Sequence, residues 1–199
     1  MIKFLTILLF PISLLAQTFE GTIHIQTDSD DMMYHMKDAN VRFDISTDEG
    51  LVSILMNRDE QKIMLLIETS KMSMEMSLPS EEIESDLADS DSDLGMDGYE
   101  KTGRTKRIAG VDCEEWKKED NSRVWTPTTS RFGSIMVPNA PGLPNMFKDF
   151  PGVAFFPFEV IDEHGETKWL VTLVNPRTLP ETLFDVPTGW GSFKMNFGN

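Results

Sequence analysis

The densest run of residues with ligand chemistry lies between Ser80 and Glu100, where nine acids occur without a base (Glu81, Glu82, Glu84, Asp86, Asp89, Asp91, Asp93, Asp97 and Glu100). Asp89, Asp91, Asp93, Asp97 and Glu100 occupy the places 1, 3, 5, 9 and 12 of a calcium-binding loop, and Gly95 falls where a backbone carbonyl would ligate. Leu94 stands where that loop needs a glycine for its sharp turn. These five carboxylates are the candidate metal ligands, for weak Ca2+ binding. The other reading is a solvated loop held open by its own repulsion. No other cofactor is expected.

Thioethers form a second group. Met32, Met33, His35 and Met36, and then Met72, Met74 and Met76, are of the type that binds monovalent copper where cysteine would be oxidised. The period-two spacing of the second set is also what a half-buried strand face shows. His24, His35 and His164 stand far apart, and the chain has no nucleophile elbow, no zinc-protease helix motif and no phosphate-cradling glycine loop. Acids confined to a solvated insertion stay ionised and poorly placed for general acid work, so the reading is non-catalytic. Cys113 is the only cysteine, which excludes an internal disulfide. Its neighbours Asp112, Glu114 and Glu115 raise a thiol pKa, which favours a buried strand cysteine over a nucleophile.

Export sets the compartment. Residues 1–16, MIKFLTILLFPISLLA, place Lys3 before an apolar run that ends at Ala16, the pattern of a signal peptide too short to remain as a membrane span. No cysteine lies at the cleavage point to carry a lipid, so the mature chain from Gln17 onward is expected in the periplasm or outside the cell, without a transmembrane segment. With 33 acids against 18 bases, a formal charge of −15 argues against a nucleic-acid partner and against polyanions generally.

The elements that must position these groups are mostly strands. Alternation runs through FEGTIHIQT, NVRFDIST and LVSILMN, the last read with Leu51, Ser53 and Leu55 on one face. QKIMLLIET is more continuously apolar, and KMSMEMSL alternates again. Short polar connectors predict antiparallel hairpins in a meander. Beyond the acidic insertion at about 80–100, expected to be mobile, the basic residues Lys101, Arg104, Lys106 and Arg107 are placed to fold against it. Ile108, Val111, Cys113 and Trp116 mark a further strand, and RVWTP, VAFFPFEVID and TKWLVTLVN read as strands too. Only LPNMFKDF is long enough for a short helix before Pro151.

Two pieces carry a family resemblance. The run from Thr102 through Gly103, Lys106, Ile108, Gly110 and Cys113 to Trp116, with the tail Leu183, Phe184, Val186, Pro187 and Gly189, resembles an exported bacterial family, domain of unknown function 4412. That family looks akin to lipoprotein and lipid carriers of the LolA and LppX type. The resemblance implies a single α+β domain over residues 17–199: a strongly curved antiparallel sheet, LolA-like, of about eight to ten strands with a few short helices on its concave side. It supplies no catalytic residues.

A concave apolar sheet face needs a cover or a ligand. Phe132, Met136, Phe147, Phe150, Phe155, Phe156 and Phe158, with Met72, Met74 and Met76, are therefore the candidate hydrophobic-ligand residues. The partner expected is an acyl chain, lipid, lipoprotein or other hydrophobic small molecule. The alternative is a structural or interaction module of the cell envelope, with a filled core and an acidic loop that contacts a cation or an envelope protein.

Overall fold

The computed structural model describes residues 19–28, 31–57, 59–60, 62–77, 98–132 and 156–195. The strands are β1 (Gly21–Thr27), β2 (Asp31–Lys37), β3 (Asn40–Thr47), β4 (Gly50–Asn57), β5 (Lys62–Ile67), β6 (Met72–Ser77), β7 (Tyr99–Ile108), β8 (Val111–Lys118), β9 (Arg123–Pro127), β10 (Glu159–Ile161), β11 (Thr167–Pro176) and β12 (Gly191–Met195). All twelve belong to one sheet, in the order β12-β6-β5-β4-β3-β2-β1-β11-β10-β9-β8-β7. The expected meander is present twice, as β1–β6 and as β7–β11, and the two halves join where β1 pairs antiparallel with β11. Among the described residues only β12 runs parallel to its neighbour, β6.

Turn chemistry explains the tight connections. Ala109 and Gly110, at φ 47° and 82°, close the β7–β8 hairpin with both central residues left-handed, as a two-residue turn matched to strand twist requires. The outer edge, β7, is charged and exposed, which discourages pairing with other chains. The acidic insertion up to Asp97, against which the bases of β7 are expected to fold, lies outside the described residues, and within the sheet those bases have other partners. Lys101 pairs with Glu114 at 2.9 Å, Lys106 with Glu159, Arg104 with Glu115 at 3.6 Å and Arg107 with Asp112 at 3.9 Å, so the sheet's own acids hold them.

Register places one apolar set on one face of the first meander: Ile23 and Ile25; Met32, Tyr34 and Met36; Val41, Phe43 and Ile45; Val52, Ile54 and Met56; Ile63, Leu65 and Ile67. This aromatic-rich face carries the main core, which Phe19, Phe132, Phe156, Phe158, Trp169 and Val171 complete. The parity read for LVSILMN is thus reversed: Val52, Ile54 and Met56 share the face of the main core, while Leu51, Ser53 and Leu55 lie on the opposite face.

The expectation of an α+β fold with helices on a concave side is corrected. Among the described residues the only helical pieces are 3-10 turns at Ser130–Phe132 and Glu181–Phe184, and the chain is nearly all sheet. The physical reason is that irregular segments supply the cover that helices would give. Phe132, Phe156 and Phe158 reach the core from one side, and residues 177–190 lie over the other. The segment LPNMFKDF lies outside the described residues.

The seam between the two meanders depends on Gly21. A Cβ there would stand 2.8 Å from the Phe19 ring and 2.9 Å from Pro176 Cα, on a backbone with φ 153°. Gly21→Ala is expected to lower stability by about 2 kcal/mol, because backbone and a buried ring must both shift. Urea unfolding monitored by tryptophan fluorescence measures this, and an unchanged midpoint would contradict the tight seam.

Candidate functional site

One row of side chains crosses seven strands of the aromatic-rich face. Ile23 is opposite Tyr34, Tyr34 opposite Phe43, Phe43 opposite Ile54, Ile54 opposite Leu65, Leu65 opposite Met74, and Met74 opposite Phe193 on β12. Burial falls along it. Ile23, Tyr34, Phe43 and Ile54 are 0%, 2%, 2% and 3% exposed, Leu65 and Met74 are half-buried, and Phe193 is 57% exposed. Ile67 and Met72, paired in the adjacent row, are half-buried as well. The face is closed at its centre and open toward β6 and β12.

Aromatic contacts close the centre. Tyr34 lies 4.4 Å from Phe43 and 5.0 Å from Phe156 between ring centroids; Phe156 meets Phe158 at 5.9 Å and Trp169 at 6.2 Å; Phe158 meets Phe132 at 5.1 Å; Phe132 meets Phe19 at 5.1 Å. Hydrogen bonds to main-chain carbonyls hold this stack, with Phe158 N–H donating to the Trp125 carbonyl at 2.8 Å and the indole Trp169 Nε1–H to the Pro157 carbonyl at 2.8 Å. Phe132, Phe156 and Phe158, expected to line a ligand hollow, are fully buried core residues. Met72 and Met74 do lie on the partly open end. Met136, Phe147, Phe150 and Phe155 lie outside the described residues, as does the side chain of Met76.

The metal sets fare differently. Asp89, Asp91, Asp93 and Asp97 lie outside the described residues, and Glu100 is an exposed residue of β7 opposite Lys117. Strand alternation splits the first thioether set: Met32 and Met36 enter the core, while Met33 and His35 face the other way. Cys113 is completely buried, and burial more than its acidic neighbours pushes the thiol up to about 12.

The opposite face carries polar groups that sequence spacing did not join. His35 Nδ1 lies 3.0 Å from Thr22 Oγ1 and His35 Nε2 lies 3.3 Å from Asp44 Oδ2. Asp44 Oδ1 accepts from Arg42 Nε and from Ser53 Oγ, both at 2.6 Å. The imidazole touches the carboxylate and a threonine, while the serine donates to that same carboxylate and accepts from Arg42 Nη2 at 3.1 Å, so the histidine and the serine meet only through Asp44. What the network does is fasten the tail. Arg42 donates to the Leu183 carbonyl at 2.9 Å, Lys37 to the Leu179 carbonyl at 2.8 Å, Arg177 to Thr22 Oγ1 at 3.0 Å, and Ser73 to the Gly191 carbonyl at 3.1 Å. Beneath the same tail, Leu55, Met64 and Leu66 pack against Val186 and Trp190. The tail thereby delivers β12, and Phe193 with it, to the edge of β6.

At the other end of the strand order, Arg104, Lys117, Asn121, Arg123, Glu163, His164 and Gly165 surround an open cleft of about 360 Å³. Composition alone gives no sign of it, since the cations are scattered along the chain and meet only through the successive pairings of β7 with β8 and of β8 with β9.

Burial pushes the Asp44 carboxyl up, but hydrogen bonds from His35, Ser53 and Arg42 outweigh it and hold the group below the usual carboxylate value. A carboxyl lowered on folding stabilises above its unfolded pKa near 3.9 and loses that contribution as pH falls through the folded value. Asp44→Asn is therefore expected to cost about 3 kcal/mol at pH 7 by stranding Arg42, and to lose less than the wild type as pH is lowered from 5 to 3. Chemical denaturation across that pH range checks both, and parallel pH profiles would contradict the assignment.

A solved structure, of an uncharacterised conserved protein from Thermus thermophilus, is similar at a TM-score of 0.48 and 9% identity, over 91% of this chain and 92% of that one. No curated protein sequence matches. Residues 19–190 match the profile of a family, from the first buried phenylalanine to the tryptophan that ends the fastened tail. The chain belongs to that family, the domain of unknown function DUF4412.

Proposed function

We propose that this chain is an exported, non-catalytic binding protein that receives a hydrophobic group, an acyl chain or a lipid, at the open end of its aromatic-rich face. The observation that carries the reading is the burial gradient along one row, from Ile23 at 0% to Phe193 at 57% exposure. An apolar row that continues beyond its own cover leaves large side chains in water, and a hydrophobic occupant relieves that cost in proportion to the area covered. Met72 and Met74 suit an adaptable surface, since thioether chains repack around guests of different shape.

The binding surface is smaller than the sequence implied. It comprises Leu65, Ile67, Met72, Met74 and Phe193, without Phe132, Phe156 and Phe158, which serve as its wall. The resemblance to lipid carriers of the LolA and LppX type supports a hydrophobic guest, and the apolar run before Gln17 supports export to the periplasm or beyond. No helix among the described residues is long and apolar enough to cross a membrane. The full burial of the three phenylalanines favours a second reading, a scaffold of the cell envelope whose core needs no guest.

Titration with a fluorescent fatty acid separates the two. A carrier binds the probe, and Phe193→Asp weakens binding at least tenfold, about 1.4 kcal/mol or more, while leaving the unfolding midpoint within experimental error. No saturable binding, or an unchanged affinity in Phe193→Asp, would leave the scaffold.

A further inference from the structure

We infer that the cleft between β7, β8, β9 and the β10–β11 turn is a binding site for a phosphate-type oxyanion, independent of the apolar surface. Its lining gathers Arg104, Lys117, Arg123, His164 and Asn121 about a single acid, Glu163, in a chain whose formal charge is −15. Concentrating positive groups against that background requires the sheet, because β8 and β9 bring Lys117 and Arg123 together as direct cross-strand partners. Like charges at such positions repel and destabilise a sheet unless something lies between them.

The neighbouring cations are answered from within. Lys101, Arg104, Lys106 and Arg107 each have a carboxylate partner, and the Lys118 ammonium sits 5.9 Å from the centre of the Tyr99 ring. Among the described residues, no carboxylate lies within ion-pair distance of Lys117 or Arg123, although Glu100 stands opposite Lys117 across the β7–β8 ladder. The acid on the cleft wall, Glu163, lies 3.4 Å from His164, and Glu115, buried behind Arg104, accepts from Thr102 at 2.8 Å. Two permanent cations therefore face the cleft without an ion-pair partner, and Arg104, held by Glu115, is a third in its lining.

The donors fit a tetrahedral oxyanion. The Arg123 guanidinium can offer two parallel N–H groups to phosphate oxygens, and Lys117 adds a point charge opposite. Space beside Gly165 is open, with no atom within 4 Å of where a side chain would begin. The open cleft of about 360 Å³ has room for a phosphomonoester or phosphodiester with a small organic substituent as well as for the bare ion. Net charge argues against a polyanion laid across the surface, but a single oxyanion meets only the local field.

Calorimetric titration at low ionic strength with inorganic phosphate and with glycerol 1-phosphate tests the soluble source. Cosedimentation with phosphatidylglycerol vesicles, against phosphatidylcholine vesicles, tests the lipid-headgroup source. The expected result is saturable binding of at least one of these probes over a chloride control of equal ionic strength, reduced tenfold or more in Lys117→Gln/Arg123→Gln. The same probe should raise the melting temperature of the wild type and not of that variant. Arg123→Glu provides a second test, since the new carboxylate pairs with Lys117 and protects the fold while repelling the anion. Binding confined to soluble phosphates assigns a free ligand, and binding confined to the anionic vesicles assigns a headgroup. No binding of any probe, or binding that both variants retain, would overturn the site.

Discussion

A β-strand that is apolar on both faces leaves neither side to water, and most of β4 and β5 is of that kind. Ile54 and Met56 point one way while Leu55 points the other; Ile63 and Leu65 oppose Met64 and Leu66. An antiparallel sheet commonly packs one side and solvates the other. Here both sides need a cover, and the rest of the molecule follows from how the chain supplies it. The aromatic stack of Phe132, Phe156 and Phe158 closes one face. The tail from Arg177 to Trp190 closes part of the other and then adds its own strand to the edge.

The second cover is held by polar chemistry more than by apolar area. Extended segments leave backbone carbonyls without ladder partners, and buried carbonyls need donors. Outward-facing residues of β2 and β3 provide them, Lys37 to Leu179 and Arg42 to Leu183. Arg42 in turn needs Asp44, which His35 and Ser53 also bond. The four polar residues are thus best understood as one fastening, and their burial is a consequence of the tail they retain.

Much of the sheet was legible because alternation at period two is a direct image of a pleated strand. FEGTIHIQT, NVRFDIST and KMSMEMSL correspond to observed strands for that reason. β2 was not read as a strand because Met32, Met33, His35 and Met36 look like a ligand set, and only the pairing with β1 and β3 shows that alternate members face opposite ways. The parity of β4 is ambiguous in the sequence because Leu51 and Leu55 are as apolar as Val52 and Ile54; both faces are covered, that of Leu55 by a tail more than a hundred residues away. The family motif proved informative in a different sense. Gly103 and Gly110 hold left-handed positions, Cys113 fills the core, and Trp116 donates to Thr126 at 2.9 Å, so these residues of the run serve the fold.

The central claim concerns where the first cover stops. The row that begins at Ile23 is sealed by rings through Ile54 and loses its seal at Leu65, Met74 and Phe193. A photoreactive fatty acid, crosslinked to the purified protein and located by peptide mass spectrometry, tests this directly. The account predicts label on β6 and β12, centred on Met72, Met74 and Phe193. Label distributed without preference, or confined to peptides away from these strands, would contradict it.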